Sequence, residues 1–86
     1  MQLSELTDEE TIAHYMIEQS PRGIQLAYDD YALIRSWLLL CPELDTLLHV
    51  LSEVTCEYKK KYPDSTIKPK LLNRSLFSRL KRHAHL

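Results

Sequence analysis

Lys70, Arg74, Lys81 and Arg82 follow one another at intervals of four, seven and one residues near the end of the chain. On a helix this spacing puts all four cations on one side, where they can meet consecutive phosphates along a groove. Ser78 falls on the same side and can donate a hydrogen bond to a phosphate oxygen. A second group of cations, Lys59, Lys60 and Lys61, lies shortly before them. Tyr62, next to that group, carries a ring on which a base can stack, although the ring also serves to close the end of an apolar stripe. The chemistry on offer is recognition of a polyanion. The same cations have two other uses, neutralising acids of this chain or of a partner, or simply solvating a helix face.

Other residues with chemical potential are poorly arranged for it. Cys41 and Cys56 have fourteen residues between them, and the histidines are His14, His49, His83 and His85. Zinc sites use close pairs such as C-x₂₋₄-C or H-x₃₋₅-H, so no metal is expected. One glycine in the whole chain rules out a glycine-rich phosphate loop, and there is no nucleophile-elbow sequence. Asp8, Glu9 and Glu10 have a sufficient structural reason at a helix start. A chain of 86 residues has little material with which to wall off the roughly 300 Å³ or more that an active site needs. Neither enzymatic activity nor a cofactor nor a small-molecule substrate is expected.

The net charge of −1 conceals an uneven distribution. Residues 1–57 sum to −9 and residues 58–86 to +8. Such asymmetry points to a polyanion-binding end or to two halves that neutralise each other. The longest strictly apolar run, Trp37 to Cys41, is five residues, far short of the ~20 that span a bilayer. Met1–Glu5 shows neither a basic n-region nor an apolar h-region. The expectation is a soluble cytoplasmic chain with no membrane association, its cysteines reduced.

The elements that position these residues are legible as four helices. A tight-turned all-β chain recruits glycine, and the single glycine argues against one. Thr7-Asp8-Glu9-Glu10 has the form of a capping box, with acids at the positive end of the dipole. The helix it starts presents Ile12, Tyr15 and Met16, ends near Gln19 and is stopped by Ser20-Pro21-Arg22-Gly23. A second helix is expected over about Ile24 to Leu40. Ile24, Ala27, Tyr28, Tyr31, Ile34 and Leu38 share one of its faces, and Leu26, Leu33, Trp37 and Leu40 share nearly the opposite one. The second face is a candidate protein interface, with Asp30 as a polar seam residue that sets register in a homodimer. Equally, other helices of the same chain can cover it.

The third helix is expected to include Pro42 in its first turn and to run to Tyr62. Leu44, Leu47, Leu48, Leu51, Val54, Tyr58 and Tyr62 form its stripe, with Leu48 and Leu51 deepest. Asp45, His49, Glu53, Cys56 and Lys60 lie away from that stripe. Pro69 pushes Lys68 out of helical conformation, so the fourth helix begins near Lys70 and reaches about His83, with Asn73 as an alternative N-cap. Its apolar face is Leu72, Leu76, Phe77, Leu80 and Ala84, opposite the cations, with Arg79 nearer the apolar edge.

The resulting expectation is a single all-α domain over residues 1–86, a compact bundle of about four helices in which a dimer is one way to bury the extra apolar face. The functional expectation is a small regulator or accessory protein that contacts nucleic acid through its basic last helix. The alternative is a protein–protein adaptor or inhibitor using the second face of the second helix or the acidic N-terminal half.

Overall fold

The computed structural model describes residues 7–20 and 24–84, with side chains to residue 82. The expected break at Pro21-Arg22-Gly23, His85, and the side chains of His83 and Ala84 lie outside the described residues. Four helices follow in order, α1 (Asp8–Gln19), α2 (Tyr28–Leu40), α3 (Leu44–Lys61) and α4 (Pro69–Ala84), and there is no strand among the described residues. The all-α bundle read from the sequence is the architecture observed.

Helix α1 starts as its residues dictate. The Glu10 backbone N–H donates to Thr7 Oγ1 at 3.1 Å, and the Thr7 N–H donates to Glu10 Oε1 at 3.0 Å. Two otherwise orphaned donors are thereby satisfied. Helix α2 departs from expectation by starting at Tyr28, four residues later than Ile24. Ile24 to Ala27 have helical apolar spacing but lie ahead of the first helical residue. Asp30 supplies the missing start signal three residues on, its carboxylate accepting from the Ala27 N–H at 2.9 Å. Asp30 is therefore buried at the start of its own helix and is not a seam residue. Tyr28, expected in the core, is 77% exposed. As the first helical residue it projects beyond the packed part of α2, with Arg35 5.9 Å above its ring.

Helix α3 begins at Leu44, with Pro42 two residues ahead of it. Its buried residues are Leu47, Val50, Leu51, Val54 and Thr55. Leu48, expected deep in the core, is only half-buried, and Tyr62 is exposed. The buried arc runs from Val50 at one edge to Thr55 at the other and leaves Leu48 just outside it. Thr55 tolerates burial by donating from Oγ1 to the Leu51 carbonyl at 2.8 Å. Helix α4 takes Pro69 as its first residue, where a missing N–H costs nothing. Asn73 lies inside it and caps nothing.

Helices α2 and α3 each pack against both α1 and α4. Ile12, Met16, Ile34, Trp37, Leu51 and Leu76 are among the core side chains with no exposed surface. The connection between α3 and α4 is tied down by Ser20 at the end of α1. Ser20 Oγ accepts from the Ile67 N–H at 3.1 Å and donates to the Ile67 carbonyl at 3.2 Å, so Ile67 enters the core with its backbone polar groups satisfied. No helix among the described residues is long and apolar enough to cross a membrane.

Candidate functional site

Leu72, Leu76 and Leu80 are all buried and fix the rotation of α4 about its axis. Lys70, Arg74, Ser78, Lys81 and Arg82 are consequently turned outward, and all five are exposed. Among the described residues none of these four cations forms an ion pair. Arg79 sits further round, with 29% of its side chain exposed, and bridges to α3. It contacts Glu57 through Nη2 and Glu53 through Nη1, the latter at 3.4 Å. The Arg79 guanidinium, by its hydrogen bond, holds the Glu57 carboxyl below its usual range, against an opposing push from desolvation. The cation near the apolar edge of α4 is thus paired within the chain, while those on its outer face have no carboxylate partner among the described residues.

The outward cations are not gathered at one point. Arg74, Ser78, Arg79 and Arg82 line a depression of about 330 Å³ between α3 and α4, completed by Glu57 and Ser75. Lys70 belongs to a different depression of about 340 Å³ on the other flank of α4, beside Asp29, Leu33 and Asn73. Lys81 lines neither. The three lysines at the end of α3 also diverge. Lys61 faces the α3–α4 seam, Lys60 is exposed, and Lys59 donates to Gln19 Oε1 of α1 at 2.8 Å.

A further hollow of about 200 Å³ continues the α3–α4 seam toward the connecting segment and shares Glu57 and Ser75 with the arginine-lined depression. Tyr58, Tyr62, Leu71 and Lys61 line it. The rings of Tyr58 and Tyr62 have centroids 4.9 Å apart and are tilted by 46°. The Tyr58 hydroxyl lies 3.2 Å from Ser65 Oγ. Tyr62 and Leu71 remain 53% and 49% exposed, so two large apolar side chains form the lip of this hollow. The seam therefore changes character along its length, from an aromatic and aliphatic end to an arginine end. Ser75, Glu57 and Leu71 were not singled out by sequence reasoning. The available signal was that Leu71 and Ser75 flank the apolar face of α4, and that Glu53 and Glu57 are one helical turn apart on α3.

The apolar face proposed on the second helix lies largely within this chain. Trp37 is fully buried and its Nε1 donates to Asn73 Oδ1 of α4 at 2.7 Å. Leu26, Leu33 and Leu40 are half-buried against the core. Leu39, outside that set, is the most exposed large apolar side chain among the described residues, at 83%.

Cys56 is exposed, as its position away from the α3 stripe requires, and Cys41 is partly so. Among the described residues no group of three or more His, Cys, Asp or Glu side chains is placed to hold a metal ion. Comparison with protein-family models, curated proteins and solved structures finds no match to this chain.

Proposed function

We propose that this chain is a small non-enzymatic regulator or accessory protein that contacts nucleic acid through the outer face of α4. The observation that carries this reading is the exposed row Arg74, Ser78, Lys81 and Arg82, whose cations have no carboxylate partner among the described residues. Where α4 does meet acids, Arg79 absorbs them. An unneutralised cationic row attracts a polyanion by releasing its condensed counterions, and a serine hydroxyl within the row adds a hydrogen-bond donor.

Replacing Lys70, Arg74, Lys81 and Arg82 together with glutamine tests the reading. The wild-type protein should bind nucleic acid at about 50 mM salt, and binding should weaken steeply as salt rises. The variant should lose that binding and keep its helical circular dichroism, because all four side chains are turned away from Leu72, Leu76 and Leu80. Wild-type protein without salt-sensitive binding would sink the proposal and leave the adaptor as the better account.

A further inference from the structure

We infer that the strand held by this protein is single-stranded, with a base stacked on Tyr62 and the adjoining phosphates on Arg74 and Arg82. This inference rests on the nucleic-acid reading above and deepens it. Two observations beyond the charged row of α4 carry it. The first is continuity. The hollow bearing Tyr62 and Leu71 and the depression bearing Arg74 and Arg82 share Glu57 and Ser75, so one path runs along the α3–α4 seam. The second is the state of Tyr62. Its ring is half exposed yet held in place, packed against Tyr58, whose hydroxyl in turn meets Ser65.

A positioned, solvent-facing ring next to a cationic track is the arrangement that single strands use. Each base offers a π-face to an aromatic side chain while the backbone follows the positive groove. In a duplex the base faces are stacked on one another, and a ring at the protein surface cannot reach them. The spacing of the cationic end also suits a strand. Arg74 and Arg82 are eight residues apart, about 12 Å along the helix axis, with Ser78 midway, so the two cations can hold phosphates on either side of one that Ser78 meets. Glu57 does not close the path to an anion, because Arg79 pairs with it.

The test is fluorescence anisotropy with a labelled oligonucleotide of roughly 12 nucleotides, within the span such sites cover, offered as a single strand and as the matching duplex. The single strand should bind more tightly. Tyr62→Ala should weaken its binding by about 5- to 150-fold, the range for loss of one stacked base. Tyr62→Phe should bind like wild type. Arg74→Gln and Arg82→Gln should each flatten the logarithmic salt slope by about 0.7 on the single strand. Tyr62 is exposed, so Tyr62→Ala should fold normally by circular dichroism, and Tyr62→Phe provides an independent check of the ring. If Tyr62→Ala binds like wild type, or duplex is preferred, while the arginine variants still lose affinity, the stacking inference is wrong and the nucleic-acid reading stands. If neither strand form binds, both are wrong, and a protein partner becomes the occupant to seek.

Discussion

Helix α4 has two long seams, and they are built on opposite principles. On the α2 side, beside the Lys70 depression, the contact is closed: Trp37 is fully buried and its indole N–H is satisfied by Asn73 at 2.7 Å. On the α3 side the seam opens into two connected hollows, and its polar contact is the surface ion pairing of Arg79 with Glu53 and Glu57. The difference shows how a small chain divides its labour. A buried aromatic with its one polar atom satisfied contributes stability through area and packing, whereas exposed ion pairs contribute little to it. The closed Trp37–Asn73 contact anchors α4, whereas the polar rim of the α3 seam adds little to the stability of the leucines buried beneath it.

The largest expected effect lies in the closed seam. Trp37→Ala should cost about 3–5 kcal/mol in urea unfolding, a large part of the about 5–15 kcal/mol that holds a domain folded. A loss below about 1 kcal/mol would mean that the indole is not the anchor of α4.

A smaller effect isolates the hydrogen bond from the packing. Asn73→Ala leaves the buried indole N–H without its acceptor and should cost about 1–3 kcal/mol. Asn73→Asp retains an acceptor and should recover part of that loss. Trp37→Phe combined with Asn73→Ala should cost less than the sum of the two single changes, because the second removes a partner already gone. Additive losses would show that the two side chains do not stabilise each other.

How much of this contrast is legible in the sequence depends on whether a feature is local. The capping box of α1 is contained within Thr7 to Glu10 and reads directly. The outward turn of Lys70, Arg74, Ser78, Lys81 and Arg82 follows from the opposing leucines on one helix, so it reads as well. The start of α2 reads poorly, since Ile24 to Ala27 continue a helical spacing and the deciding hydrogen bond comes from Asp30 beyond them. Leu48, expected deep, is half-buried while Val50, outside the expected stripe, is buried; the two lie at the edges of the stripe, where packing against other helices decides what is covered. The separation of Lys70 from Arg74 and Arg82 into different depressions depends on what flanks α4, and no pattern within α4 encodes that. The Trp37–Asn73 bond joins residues 36 positions apart and lies beyond any periodicity argument.

The smallest effect belongs to the open seam and is a matter of pH. Arg79 holds the Glu57 carboxyl below its ordinary range, so the folded state binds this proton less readily than the unfolded chain does. The sign follows from linkage. The stabilisation is fully present above the carboxyl's unfolded value and disappears as pH falls through its lowered folded value. The Glu57 side chain is mostly exposed, so the contribution should be slight and sensitive to salt. Glu57→Gln should therefore match wild type in acid-range stability and fall marginally below it at neutral pH, with the gap narrowing at high salt. The same variant releases Arg79 from its carboxylate, and single-strand affinity should rise as stability falls. That opposed pair of changes separates a seam kept for binding from one kept for stability. A Glu57→Gln protein that lost much stability at neutral pH and gained no affinity would place the ion pair on the structural side of the comparison, alongside Trp37 and Asn73.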